Sequence, residues 1–130
     1  MRTEILNKIK KERLKARHAD LANMNIEDHE IEEIMKTIQS LQPDISVIDL
    51  DGNKLSNKGA VILTEWLHNF PKLAELSIQS NHIGKEGAIS LFTLKKEQTK
   101  LKILFHGNEI NNVSEMKDIE ELALKEGFRP

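Results

Sequence analysis

The sequence has no cysteine and no apolar run long enough to cross a membrane. Without cysteine, this 130-residue chain has neither a disulfide framework nor thiolate chemistry. A transmembrane helix needs about 18 consecutive apolar residues, and no window approaches that length. The N-terminus also lacks the apolar run and cleavage site of a signal peptide. These absences predict a cytoplasmic protein; one delivered into a host cell by a signal-independent route would share them.

Motifs of the common catalytic and cofactor sites are missing as well. The stretch "DGNK" at 51–54 lacks the glycine spacing of a phosphate-binding loop, and there is no nucleophile elbow. His82 and His106 lack the spacing of metal ligands. Asp49 and Asp51 lie close in sequence, but an open surface does not desolvate carboxylates enough for acid–base catalysis. We therefore predict a protein that is not an enzyme and uses no cofactor and no metal.

What the sequence does contain is a balanced composition with one uneven feature. Hydrophobic residues make up 38% and charged residues 31%, which is typical of a single folded domain over 1–130. The net charge is −2, yet residues 1–20 carry seven Lys or Arg against three acids, whereas 21–44 carry one Lys against six acids. We expect the basic segment 2–22 to be mostly helical and to pack on the acidic helix that follows it. A mobile basic arm is the alternative.

An internal repeat organises the middle of the chain. A shift of 28 in the numbering superimposes 45–72 on 73–100. The matching residues of the first copy are Ile45, Ile48, Leu50, Asn53, Leu55, Gly59, Ala60 and Leu63. They fall on Leu73, Leu76, Ile78, Asn81, Ile83, Gly87, Ala88 and Leu91. In each copy the apolar spacing changes from two to three and four, which predicts a strand, a turn and a helix.

Each copy has an asparagine after the strand and a glycine where the helix begins. Where the chain leaves a strand, backbone N–H and C=O groups lose their ladder partners, and an asparagine side chain offers both a donor and an acceptor. We therefore predict structural roles for Asn53, Asn81 and Asn108. Gly59 and Gly87 indicate either a close backbone approach or an unusual dihedral angle.

The C-terminal unit, 101–130, departs from the pattern. Leu101 keeps the shift of 28, whereas Asn108 arrives one residue early, so the register of the third strand stays open. We interpret this unit as an irregular repeat and cap, whose helix begins with a capping box of Asn112 and Glu115.

The N-terminal unit, 1–44, contains a helical pattern with no clear strand before it. Ile31, Ile34 and Ile38 match their counterparts in the first copy at a shift of 29. We interpret 1–44 as N-terminal helices and a cap, because the end units of a repeat protein must present one polar face to water. Atypical units at both ends lead us to expect a complete small protein.

These residues resemble the leucine-rich repeat, L-x-x-L-x-L-x-x-N-x-L, and the Gly-Ala continuation into a full helix resembles its ribonuclease-inhibitor-like subfamily, with 28-residue repeats as here. The resemblance implies an α/β fold: a short right-handed solenoid, or horseshoe, with about three parallel strands on its concave side. Helices would lie outside, with helical caps at 28–41 and 113–125. It also implies non-enzymatic protein–protein binding through the concave face.

The concave face consists of the strand residues that alternate with the buried ones. In the two clear copies these are Val47, Asp49, Asp51, Glu75, Ser77 and Gln79. The third strand contributes Lys102, Leu104 and His106 if Asn108 sets the register, or Ile103, Phe105 and Gly107 if Leu101 sets it. Carboxylates beside an apolar or histidine-bearing strand predict a partner with a basic and partly apolar patch, bound by a monomer.

Other functions stay open. Members of the family that act on a GTPase or on actin make regulation of either one a second hypothesis. A third is a tether to a membrane or nucleic acid through "KIKKERLKAR" at 8–17, which is disfavoured because no aromatic residue interrupts the run. Trp66 and Phe70 are either an exposed aromatic anchor or packed against the loop through Pro71. The Lys-, Asn- and Ile-rich usage fits an AT-rich microbial genome and suggests a bacterial effector.

Overall fold

The computed structural model describes residues 1–12, 17–110 and 113–126. One parallel sheet contains the strands β1 (His18–Asp20), β2 (Val47–Asp49), β3 (Glu75–Ser77) and β4 (Lys102–Leu104), in sequence order. The α-helices are α1 (Thr3–Glu12), α2 (Ile31–Leu41), α3 (Asn57–Leu67), α4 (Lys85–Phe92) and α5 (Val113–Glu126). Short 3₁₀ helices precede α2 at Asp28–Glu30 and follow α4 at Thr93–Lys96. Helices α2 to α5 pack side by side, which makes the fold a small α/β solenoid.

The sheet has four strands, although the sequence predicts about three. Strand β1 lies within 2–22, so the prediction of a mostly helical segment is right for α1 and wrong for 18–20. His18 pairs with Val47 at an offset of 29 in the numbering, whereas β2 pairs with β3 at 28 and β3 with β4 at 27. The first unit also has Met24 where the next three units have asparagine. This unit is therefore a full turn of the solenoid in a segment predicted to hold helices alone.

The apolar residues of each unit lie between the sheet and the helices. In the second unit the fully buried residues include Ile48, Leu50, Leu55, Leu63 and Leu67. Their counterparts Leu76, Ile78, Ile83 and Leu91 are fully buried in the third. Burying a side chain of this size stabilises the fold by roughly 1.5–3 kcal/mol. Because each unit is one strand and one helix thick, this burial requires the neighbouring units.

Helix α1 closes the N-terminal end of the stack. It packs on β1 and α2, and Ile5 and Ile9 are fully buried. The Nε of Arg2 donates a hydrogen bond to Oε1 of Glu30 at 2.8 Å, so a basic residue of this segment meets the acidic stretch before α2. Helix α1 is therefore docked. The basic run at 8–17 lies partly outside the described residues.

Asn53 joins the second unit to the first. Its Oδ1 accepts hydrogen bonds from the backbone N–H groups of Met24 at 3.0 Å and Ile26 at 2.9 Å. Its Nδ2 donates to the backbone carbonyls of Leu21 at 3.0 Å and Leu50 at 2.9 Å. The side chain thus uses both its donor and its acceptor on backbone groups that have left the strand ladder.

Asn81 and Asn108 repeat this arrangement further along the stack. Asn81 accepts a hydrogen bond from the Leu55 N–H at 3.0 Å and donates to the Leu50 carbonyl at 3.0 Å. Asn108 accepts from the Ile83 N–H at 3.0 Å. These are the bonds that the predicted structural role of the three asparagines requires.

The glycines at the start of α3 and α4 are explained by close approach, since neither has a positive φ. A Cβ at Gly87 would lie 2.7 Å from Cγ2 of Ile83 and 2.8 Å from Oδ1 of Asn57. That same oxygen accepts a hydrogen bond from the Gly87 N–H at 2.9 Å. At Gly59, a Cβ would collide with the carboxylate of Asp28, which accepts a hydrogen bond from the N-cap residue of α3. Each glycine therefore lets the preceding unit hold the start of the next helix.

The two aromatic residues after α3 differ in exposure. Phe70 is 0% exposed, so its interpretation as an exposed anchor is wrong: the side chain is part of the core. Trp66 is half-buried and packs against that core. Packing therefore accounts for Phe70 fully and for Trp66 in part.

Helix α5 ends the described part of the chain. It spans Val113–Glu126, close to the predicted 113–125. The predicted capping residue Asn112 lies outside the described residues. Within the described ranges, every helix is too short or too polar to cross a membrane.

Candidate functional site on the concave face

The concave face is built of side chains in rows that run across the strands, because parallel strands in register stack equivalent residues. The first row contains His18, Val47, Glu75 and Lys102. The second contains Asp20, Asp49, Ser77 and Leu104. A third, just past the strand ends, continues this register through Asp51, Gln79 and His106. The structure thus brings together all the residues that the sequence predicts for this face.

The strand pairing decides between the two registers of the last strand. Ile103 pairs with Leu76, so Asn108 and not Leu101 sets the register. Phe105 then points inward and is 7% exposed. Lys102, Leu104 and His106 are consequently the concave residues of β4 and the turn that follows.

Asp51 is tied to its neighbours on β3. Its Oδ1 accepts hydrogen bonds from the Ser77 hydroxyl at 2.7 Å and from the Gln79 N–H at 2.7 Å. Ser77 is only 4% exposed, and its short side chain turns toward Asp51. The prediction of Ser77 as a contact residue is therefore wrong, and its hydroxyl instead fixes the orientation of the Asp51 carboxylate.

Asp49 lies at the centre of a group of three carboxylates. Burial raises the pKa of Asp49, and the nearby charges of Asp51 and Asp20 raise it further, whereas the hydrogen bond from the Asp51 N–H lowers it in part. That bond has a length of 3.0 Å to Oδ1. The pKa of Asp49 is therefore raised even though the face is open. Like charges at this density favour a cationic neighbour.

Two residues of this face, His18 and Asp20 on β1, are missing from the set predicted from the sequence. Asp20 lies opposite Asp49. The available signal is the pair Ala19 and Leu21, which a shift of 29 places on the inward-facing Ile48 and Leu50. The offset of 28 found in the clear copies hides this match.

Charge is distributed unevenly over the face. Carboxylates lie on β1, β2 and β3, whereas the exposed Lys102 and His106 lie on or just after β4. Val47 and Leu104 are half-buried and add apolar area between the charges. The face therefore offers an acidic region beside a basic one, with apolar contacts between them.

Within the described ranges, one group of side chains brings possible metal-ligand atoms together. These atoms of Glu27, His29 and Glu30 lie within 4.8 Å of one another. Glu30 already pairs with Arg2, and Glu27 and His29 are exposed, so the group has the chemistry of a surface ion pair. The group does not include His82 or His106.

Comparison with known proteins agrees with the repeat and with the fold. A family model described as Leucine Rich repeat matches residues 71–92. The chain is similar to a solved structure named "Leiomodin-1 Actin-Binding Site 2 (ABS2)", with a TM-score of 0.72 and 17% sequence identity. That match covers 92% of this chain and 70% of the other. No curated protein sequence matches.

Proposed function

We propose that this chain, which has the leucine-rich repeat fold, is a non-enzymatic module that binds a protein partner through its concave face. The observation that carries the proposal is the group of three carboxylates Asp20, Asp49 and Asp51, with Glu75 beside it on β3. A cationic partner group placed among them relieves the mutual repulsion that raises the Asp49 pKa. The partner therefore has a basic patch with apolar residues near it.

The proposed contact residues are the predicted set without Ser77 and with Asp20 added. They are Asp20, Val47, Asp49, Asp51, Glu75, Gln79, Lys102, Leu104 and His106. In this proposal the acidic residues attract and orient the basic partner, whereas Val47 and Leu104 supply apolar contact. Lys102 and His106 set the orientation of the bound partner, because they repel its basic part from the β4 side.

Three finer assignments belong to the same proposal. The repeat pattern with its full helix supports the ribonuclease-inhibitor-like subfamily. The docked helix α1 and the solvated helical surface support a monomer. The absence of cysteine supports an intracellular site of action.

The test is affinity capture from cell lysate with three forms of the chain. The first is the native sequence, and the second carries Asp20→Asn, Asp49→Asn and Glu75→Gln. The third is a matched control that removes three exposed carboxylates from the helices. Its substitutions are Glu32→Gln, Glu65→Gln and Glu86→Gln. A partner held by the native and control forms and lost by the concave variant supports the proposal, and equal capture by all three contradicts it.

Regulation of actin is a second candidate, because the name of the similar structure includes an actin-binding site. Co-sedimentation with filamentous actin tests it directly. Regulation of a GTPase has the family resemblance alone in its support, and stimulated nucleotide hydrolysis by a purified GTPase is its test. In both cases the concave variant and the matched helical control show whether the same face is used.

A further inference from the structure

The C-terminal end of the solenoid exposes residues that are buried in every other complete unit. Ile103 pairs with the fully buried Leu76, yet Ile103 is only half-buried. Ile110, two residues after its asparagine like the fully buried Ile83, is also half-buried. Phe105 adjoins them but stays buried, with 7% of its surface exposed. An apolar surface of the kind that repeats bury against each other is thus open to solvent.

This surface is a groove of about 540 Å³. It lies along β4, and Phe92 and Met116 also line it. The rings of Phe92 and Phe105 pack edge to face with their centroids 6.0 Å apart, and the Lys95 ammonium lies 5.9 Å from the Phe92 centroid. The two rings therefore support each other and form one wall of the groove.

The backbone of β4 has hydrogen-bonding groups that point into the groove. The Lys102 N–H and the carbonyls of Leu104 and His106 bond to β3, at 2.8–2.9 Å. Successive residues of a strand point their N–H and C=O groups to opposite sides. The groups of Ile103 and Phe105 therefore face the free edge, and an edge strand of this kind is a template for one more strand.

The asparagine ladder is also incomplete at this end. In the earlier units the Leu55 and Ile83 N–H groups each bond to the asparagine of the next unit, at 3.0 Å. The equivalent N–H of Ile110 has no hydrogen-bond partner in the described part of the chain. Likewise, the carbonyl of Ile78 accepts from two asparagines, whereas that of Phe105 accepts only from its own Asn108, at 3.0 Å, among the described residues. A donor and an acceptor are thus placed where a further asparagine amide would fit.

The two ends of the solenoid differ in how they are covered. Helix α1 packs on β1 at the N-terminal end, whereas α5 packs on α4 and the Thr93–Lys96 turn. A second copy of this chain cannot add its β1 to β4 in head-to-tail fashion without displacing α1 and its buried Ile5 and Ile9. The occupant must bring an uncovered strand.

We propose that the groove at β4 binds an extended segment of a partner protein as a fifth parallel strand. The segment has apolar residues two apart and an asparagine three residues beyond the second, like Leu76, Ile78 and Asn81. Its backbone pairs with Ile103 and Phe105, and its asparagine amide bonds to the N–H of Ile110 and the carbonyl of Phe105. The groove shares His106 with the concave face but none of the concave carboxylates, so either surface is able to function when the other fails.

The test is nuclear magnetic resonance of the ¹⁵N-labelled full chain with a synthetic peptide, LAELSIQSNHIG, which copies residues 73–84. In the free chain we expect the amides of Phe105 and Ile110 to exchange with solvent at least about tenfold faster than those of Ile78 and Ile83. Millimolar peptide should shift and protect the first pair. The same peptide with alanine at the asparagine should bind at least about tenfold more weakly, because it leaves buried polar groups unpaired.

Variants of the chain locate the binding. Ile103→Lys and, as a second variant, Ile110→Lys should abolish the peptide-induced shifts, whereas Val61→Lys on the helical surface should keep them. Circular dichroism confirms that each variant is folded. Slow exchange at Phe105 and Ile110 in the free chain, equal binding of both peptides, or binding that survives both groove variants would overturn the proposal. A concentration-dependent dimer lost in Ile103→Lys would assign the edge to a second copy and also overturn it.

Discussion

Replacing Asn53 with alanine should destabilise the chain more than the same replacement at Asn81. Both side chains are almost fully buried, and both bond to backbone groups of two units. They differ because the first unit has Met24 in place of an asparagine. Among the described residues, Asn53 is therefore the only hydrogen-bond partner of the carbonyl of Leu21 beyond the strand ladder.

The magnitude follows from counting the buried groups left without a partner. Asn53→Ala leaves the N–H groups of Met24 and Ile26 unpaired, together with the Leu21 carbonyl. Asn81→Ala leaves the Leu55 N–H unpaired. The Leu50 carbonyl, which accepts from both asparagines, keeps its hydrogen bond from Asn53. Each buried group without a partner costs about 1–3 kcal/mol. The change at Asn53 leaves one more buried group and one more half-buried group without a partner, and should therefore cost roughly 1–3 kcal/mol more than the change at Asn81.

Urea unfolding followed by circular dichroism measures this difference, provided that both variants unfold in a single transition. Asn53→Asp is a useful companion, because a carboxylate keeps the acceptor and loses the donor. Its cost should fall between those of wild type and Asn53→Ala. Equal free energies of unfolding for the two alanine variants, or a larger loss at Asn81, would contradict the unequal numbers of unpaired groups.

Three further predictions use the same unfolding assay. Gly87→Ala should lower the free energy of unfolding by about 1–3 kcal/mol, because its Cβ would lie 2.7 Å from Ile83. Gly84→Ala should lower it clearly less, since its Cβ would have no atom nearer than 3.4 Å. Equal losses for the two variants would contradict this cause. Asp49→Asn should raise the free energy of unfolding at neutral pH, and should raise it less below pH 3.8. The reason is that the pKa of Asp49 is raised in the folded state, so the native chain loses stability as the pH rises through that pKa. A gain that is independent of pH would exclude this cause. Leu76→Ala should cost about 2–5 kcal/mol, and a loss below about 1 kcal/mol would show that the core relaxes around the cavity.

The repeat in the middle of the chain is readable from the sequence because packing and hydrogen bonding both constrain it. Inward residues two apart, an asparagine and a close-packed glycine recur at the same offset between 45–72 and 73–100. These residues have buried, directional partners in the structure, such as the Leu55 N–H for Asn81. The predicted solenoid follows from them.

The end units are harder to predict from the sequence because the residues that define the repeat are missing or shifted there. Strand β1 has Ala19 at an inward position, and Met24 stands where the later units have their asparagine; α1 replaces a preceding unit. The short helical segment and strand within 2–22 therefore resemble one poorly amphipathic helix. Ser77 is misplaced for a different reason: strand alternation puts it on the concave face, but its hydrogen bond to Asp51 keeps it below the surface.

Binding through the concave face is tested by the dissociation constant of a captured partner for three purified forms: the native chain, the concave variant and the matched helical control. Titration calorimetry at two salt concentrations suits it. We expect the concave variant, with Asp20→Asn, Asp49→Asn and Glu75→Gln, to bind at least about tenfold more weakly and with less salt dependence. The helical control should bind like the native chain. Equal dissociation constants for the native chain and the concave variant would contradict binding through the acidic concave face.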